Sequence, residues 1–245
     1  METLAAPTHA AQRHDCYAGI HKALRLALCR TLAQVGSADP QDAPQVIAAA
    51  RAVMDLMALS EGHMEKEDTY MHPLMEAACP GSTQDAAEAH EHHLQAITQL
   101  RQLAQATAEA APAERATALA QLYQALAAFM AVDLAHMQHE ETAHNALLWS
   151  HYDDAELLAV EQRIVASIPP DMSLRLLRWF MPAFNAPERL RMLSGMRAGA
   201  PAPVFQAAIS VARDSLPSAD FAKLARQLDM AVAPVVPGLV SEARG

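Results

Sequence analysis

The chain has 245 residues, enough for one large or two small domains with an apolar core, and its 52% hydrophobic content comes with only 4% aromatics and eight glycines, a balance that favours helix over sheet. A formal charge of −10, with no local run of lysine or arginine, argues against a nucleic-acid surface or an anionic-membrane anchor. Three cysteines, Cys16, Cys29 and Cys79, are an odd number without Cys-x-x-Cys spacing; they exclude a disulfide framework or zinc ribbon and read as reduced, half-buried thiols.

The first residues, with Glu2, His9, His14 and Asp15, lack the plan of a secretory leader, and no continuous apolar run of about 18 residues follows, so a cytoplasmic chain without a membrane span is expected. Around His21, the residues Tyr17, Leu24, Leu28 and Leu32 share one helical face. Gly36 to Pro40, with Pro44, breaks this helix from a second, in which Val53, Leu56 and Leu59 lead to His63, and Met71 and Leu74 continue the stripe beyond Glu67. Pro80-Gly81-Ser82 opens a third helix, where Ile97, Leu100 and Leu103 follow His93. A weaker break near Pro112 precedes a fourth, where Leu119, Leu122, Leu126, Phe129 and Val132 lead to His136. Four helices with short connections predict an all-α, up-down-up-down four-helix bundle over residues 10–151. From Tyr152 the character changes: prolines recur at 169, 170, 182, 187, 201, 203 and 217, several of them opening short amphipathic helices, and no histidine follows His151. Residues 152–245 are expected to form a C-terminal helical extension that packs on the bundle or on a second subunit. Trp179, Phe180, Met181, Phe184, Leu190, Met192 and Phe205 would be its core or interface, and 235–245 would fray.

One phrase is written twice: His63-Met-Glu-Lys-Glu67-Asp68-Thr69 and His136-Met-Gln-His-Glu140-Glu141-Thr142. Residues four apart on a helix lie on one face a turn apart, so each copy aims an imidazole and a carboxylate at the same spot. His21 precedes His63 by 42 residues and His93 precedes His136 by 43, which brings a partner histidine alongside each copy. A third instance, His72 and Glu76, is discounted: at about 100° per residue His72 lies about half a turn out of phase with His63 and should face away, and Pro73 disturbs the turn. Glu65, Lys66, Asp68, His139 and Glu141 read as a solvated face. Four imidazoles and two carboxylates buried without a partner would each cost several kcal/mol, and ligation removes that cost. The candidate metal ligands are therefore His21, His63, Glu67, His93, His136 and Glu140. This set, without a thiolate, suits two iron ions ahead of manganese or zinc. Six side chains do not saturate two octahedral ions, so oxo or hydroxo bridges and an open position are implied, and with them dioxygen, nitric oxide or peroxide as partner. Tyr17, Tyr70 and Asp133 stand where they could hydrogen-bond within the pocket or orient an imidazole.

The set resembles the hemerythrin-like family of bacterial proteins with an HHE cation-binding domain. Its pattern is a lone histidine in the first helix, His-x3-Glu in the second, a lone histidine in the third and His-x3-Glu in the fourth. Here it runs through His21, His63 and Glu67, His93, then His136 and Glu140, over residues 10–150, and the family's Phe-Pro-x-Leu stands as Met71-His72-Pro73-Leu74. The third helix offers His90, His92 and His93, with Glu91-His92 meeting the family's usual acid-His pair; the matched separations favour His93, with His90 as the alternative. Oxygen-carrying members place a second histidine one turn along this helix and a later aspartate in the fourth. This chain has Leu94, Ile97 and Glu141 there, closer to the four-His, two-Glu members linked to nitric oxide, peroxide or iron repair. The resemblance implies a non-haem di-iron protein that binds, senses or reacts with dioxygen, nitric oxide or peroxide, leaving open whether it is an enzyme. One alternative is a ferritin-like carboxylate di-metal oxidase, which draws Glu-x-x-His from each of two helices, where this chain has only Glu141-x-x-His144. The other is a helical interaction protein with a structural metal site and a tail that forms a homo-oligomer or recruits a partner.

Overall fold

A computed structural model describes residues 13–230, and every regular element among them is helical. α1 (Ala18–Ser37) begins where the Asp15 carboxylate accepts the backbone N–H groups of Tyr17 and Ala18, each at 2.9 Å, donors that a first turn otherwise leaves unpaired. α2 (Ala43–Lys66) is capped by Asp42, which accepts from the Gln45 N–H, and Pro44 sits in the first turn where no N–H is needed. A π-helical turn (Glu67–Met71) carries the same rod into α3 (His72–Ala78). α4 (Gln84–Glu109) follows, then α5 (Arg115–His139), which runs through a second π turn (Glu140–His144) into α6 (Asn145–His151). The breaks expected at Pro40, Pro80-Gly81 and Pro112 are the connections 38–42, 79–83 and 110–114, and Gly81 has φ +86°, a left-handed conformation that favours glycine.

α1 packs on α2, α2 on α4, α4 on α5 and α5 back on α1, which closes a ring of four helices whose short joins oblige neighbours to run antiparallel. The apolar stripes read from the sequence fill the ring: Leu24, Leu28, Leu56, Ile97, Leu100, Leu122 and Leu126 are fully buried, as is Met57, each worth about 1.5–3 kcal/mol relative to exposure. Val132 is the exception at 59% exposed, because the inward face of α5 passes from Phe129 through Asp133 instead. By length and composition the α5–α6 rod (Arg115–His151) meets the test for a membrane-crossing helix, although Gln121, Gln124 and Asp133 interrupt its apolar run. One face of it, with Leu119, Leu122, Leu126 and Phe129, lines the ring. Cys16 is half-buried, where burial pushes its thiol up to about 12, whereas Cys29 and Cys79 are exposed; all three are free.

α7 (Asp154–Ser167) starts at a capping box formed by Asp153 and Glu156. Its Leu157 and Val160 join Tyr17, Met71, Met75 and Leu148 in an apolar cluster at one end of the ring. Arg13 ties the entering chain there, donating to the Trp149 and Tyr152 carbonyls and pairing with Asp154. The first compact unit runs to Ser173, so α7 belongs to it.

The second unit begins at Leu174, within α8 (Pro170–Ala183), and comprises α9 (Ala186–Gly199), α10 (Ala202–Ser215) and α11 (Ser218–Gln227). Pro187, Pro201 with Pro203, and Pro217 stand at the starts of these last three helices, as expected. Leu177, Met181, Leu193, Phe205, Ile209, Leu216 and Leu224 make its core. Of the apolar residues expected in this region, Phe184 is also buried, Phe180, Leu190 and Met192 pack against the core, and Trp179 is half-buried. The fraying expected over 235–245 lies outside the described residues.

Candidate metal centre

Both copies of the repeated phrase end in a π turn that opens on the glutamate. Two residues on, a threonine folds its hydroxyl onto the helix: Thr69 donates to the Glu65 carbonyl at 2.6 Å and Thr142 to the Gln138 carbonyl at 2.8 Å. Such a hydroxyl competes with the backbone donor of the regular turn and favours the wider one. A π turn absorbs one extra residue and so rotates everything beyond it by about 100° relative to an uninterrupted helix. For this reason His72 does not face outward as its phase with His63 predicts. His72 is buried, and His144, at the end of the other π turn, is buried as well. Glu76, the carboxylate spaced from His72, instead accepts from the Gly81 and Thr83 backbone N–H groups and the Thr83 hydroxyl, organising a loop.

The helices bring six side chains to one height. His21 Nε2 lies 3.1 Å from His63 Nε2, and His90 Nε2 lies 3.1 Å from His136 Nε2. Glu67 joins the first pair through His63 at 3.2 Å, and Glu140 the second through His136 at 3.1 Å. Each carboxylate also reaches across, Glu140 to His21 at 3.4 Å and Glu67 to His90 at 3.5 Å. Two groups of four result, His21, His63, Glu67, Glu140 and Glu67, His90, His136, Glu140, sharing both glutamates. An ion with bonds of about 2.1 Å to neighbouring octahedral ligands sets those ligands about 3 Å apart. The imidazole pairs and the two His-x3-Glu pairs all stand near that separation.

Five of the six expected ligands are in this cluster, and the sixth place is taken by His90, not His93. His93 donates its Nδ1–H to the Ala89 carbonyl of its own helix at 2.7 Å, and its ring packs on Phe129 and His136. The matched separations misled because they assume hairpins of equal length. His90 precedes His136 by 46 residues against 42 for His21 and His63, so the second hairpin is longer and places the earlier histidine level with the cluster. Of the other expected residues, Tyr17 is buried, with its ring centroid 5.4 Å from that of His21 and its hydroxyl 3.5 Å from His144 Nδ1. Tyr70 packs at the edge of the apolar end cluster. Asp133 is buried, with Oδ1 3.6 Å from His93 Nε2.

The electrostatics show what the cage lacks. Burial pushes the Glu67 carboxyl up, but His63, His21 and His90 outweigh it and hold it well below the usual carboxylate range. Burial likewise opposes charge on His21, yet its hydrogen bond to Glu141 and the nearby Glu67 and Glu140 charges hold it up at about 9; His90 stands at about 9 against the same opposition, through the Glu67 charge and its hydrogen bond to Asp68. Burial lowers His63. All four oxygens of Glu67 and Glu140, which are 3% and 0% exposed, still find no hydrogen-bond donor among the described residues. A neutral or apolar guest would strand these carboxylates, whereas two cations between the imidazole pairs would satisfy them.

Several residues beside the cage were missed or misread in the sequence. Asp68 and Glu141, taken for a solvated face, each lie behind a lone histidine: Glu141 Oε1 is 3.1 Å from His21 Nδ1 and Asp68 Oδ1 is 2.8 Å from His90 Nδ1. A carboxylate there accepts the Nδ1 proton and leaves Nε2 to face the metal position. Arg25 clamps Glu141, and His72 Nδ1 reaches Asp68 at 3.0 Å while its ring stacks on His90. The one signal for the two acids was their identical place in the repeated phrase, directly after each glutamate.

A family model, the hemerythrin HHE cation-binding domain, matches residues 18–148, which span the ring of helices and all six clustered side chains. A comparison with curated proteins found no match.

Proposed function

The chain belongs to the hemerythrin HHE cation-binding family, and we propose that its bundle holds two iron ions and binds, senses or reacts with dioxygen, nitric oxide or peroxide. The observation that carries the reading is the pair of buried glutamates whose four oxygens lack donors and which both belong to each of two His-His groups. In it, His21 and His63 would hold one ion and His90 and His136 the other, with Glu67 and Glu140 within reach of both. Bound there, a first-row ion pair supplies redox chemistry and open coordination positions. The protein's part is to exclude water and to place protons. Met71, Met75 and Leu148 close one end of the site, and Tyr17 stands among them. Burial, reinforced by the Glu67 and Glu140 charges, holds the Tyr17 phenol well above its ordinary range, so it keeps its proton; burial lowers His144 to about 4, so that imidazole stays neutral. The pair is a neutral donor and acceptor beside the cage.

The carboxylate-oxidase alternative finds less support. Its one Glu-x-x-His, Glu141 and His144, is spent otherwise: Glu141 is engaged by Arg25 and His21, and His144 by Tyr17. The test is anaerobic loading with ferrous iron followed by metal analysis and optical spectra on adding dioxygen, nitric oxide or peroxide. Two irons per chain with a spectral response to one of these are expected. Fewer than two irons, or none of the three responses, would overturn the proposal.

A further inference from the structure

The two halves of the centre follow one plan up to the carboxylate behind each lone histidine, and then part. A shift of 73 residues carries His63, Glu67 and Asp68 onto His136, Glu140 and Glu141, and a shift of 69 carries His21 onto His90. One turn after His21 stands Arg25, whose two terminal nitrogens both reach Glu141, Nη1 on Oε1 and Nη2 on Oε2 at 3.1 Å. One turn after His90 the corresponding residue is Leu94, uncharged and 40% exposed. Asp68 instead meets His72, and the residue corresponding to His72 is Asn145, which donates to the Glu141 backbone carbonyl rather than to its carboxylate. One carboxylate is thus neutralised by a permanent cation, while the ion pairs of the other among the described residues are with imidazoles.

We propose that the two metal positions are inequivalent, and that the position formed by His90 and His136 holds its ion more tightly than the position formed by His21 and His63. The inference rests on the two-ion reading above. A carboxylate behind a ligating imidazole strengthens it as a donor, an effect worth about 10–100-fold in metal affinity. The guanidinium opposes that effect twice: two charge-assisted hydrogen bonds draw on the Glu141 charge, and the cation itself stands behind His21. Asp68 is half exposed and solvent screens part of its charge, but screening dilutes a charge whereas the Arg25 pairing brings the sum to zero. A chelator therefore empties the His21–His63 position first.

Single-position variants separate the ends. His63→Ala leaves the His90–His136 position and His136→Ala leaves the other; each metal-free protein, and the unaltered chain, is titrated with cobalt(II) by calorimetry and optical absorption. The His63→Ala protein is expected to bind one ion about tenfold more tightly than the His136→Ala protein. Adding Arg25→Gln to His136→Ala should strengthen its binding several-fold. Leu94→Arg, at a solvent-facing site where a change is tolerated by the fold, should weaken the His63→Ala protein by placing a cation behind His90. Equal affinities of the two single-position variants, in a chain that otherwise takes up two ions, overturn the inference and leave the two-ion reading standing. An unaltered chain that takes up fewer than two ions overturns both.

Discussion

Asp133 carries a pH dependence that can be worked out from its surroundings. Its carboxyl is buried, Oδ2 has no hydrogen-bond partner, and the nearest base, His93 Nε2, stands 3.6 Å away. Burial pushes the carboxyl up from 3.8 to about 6, with His136 and His21 pulling the other way. A folded-state value above the unfolded one means that the folded chain binds more protons between about pH 4 and pH 6, so stability falls as pH rises through that window. Over that interval the cost reaches about 2–3 kcal/mol and stays constant at higher pH. Asp133→Asn removes the ionisable group and should make the metal-free protein more stable than the unaltered chain at pH 8 by about that amount, with the gain shrinking toward zero as pH falls to about 4. Urea unfolding of both proteins at a series of pH values from 5 to 8 measures the difference directly. A gain that is independent of pH, or a loss that grows with pH, would show that the ionised carboxylate is stabilised in place and would refute the reasoning. Metal loading supplies a second check, because nearby cations favour the carboxylate and should flatten the profile.

The third-helix assignment is tested by metal content: His90→Ala should lose about one of two ions, in line with the one-ion-per-pair arrangement, while His93→Ala should retain both. Burial raises Glu141, but His21 and Arg25 outweigh it and hold it down to about 2; its contribution to stability is present above the ordinary carboxylate range and lost as pH falls through the folded value. Glu141→Gln should therefore lower stability at pH 7 and make little difference near pH 2, read as convergence of the two acid-unfolding curves. Leu193→Ala, at a fully buried position of the second unit, should cost about 2–5 kcal/mol by the cavity it leaves. Metal content of the bundle should not change, and thermal unfolding with metal analysis checks both.

The four inward stripes and the two His-x3-Glu pairs were legible because each depends only on the period of one helix. His21, His63, Glu67, His136 and Glu140 sit on faces that the local repeat of leucines already marks. His90 was not separable from His93 in that way. Which of two histidines three residues apart stands level with a cluster depends on how long the second hairpin is and how its helices slide on their neighbours. His72 was misplaced because a π turn, invisible to a rule of constant angle per residue, intervenes between it and His63.

The sequence alone determined an all-helical chain, its helix breaks, and a doubled set of imidazoles and carboxylates on inward faces, since composition, proline placement and i to i+4 spacing are local quantities. Tertiary structure decided the rest. It brought His90 rather than His93 into the cluster, carried Glu141 across 120 residues to stand behind His21, and set Arg25 one turn after His21 where Leu94 follows His90. Those choices turn on the relative height and rotation of different helices, which no single helix's pattern contains.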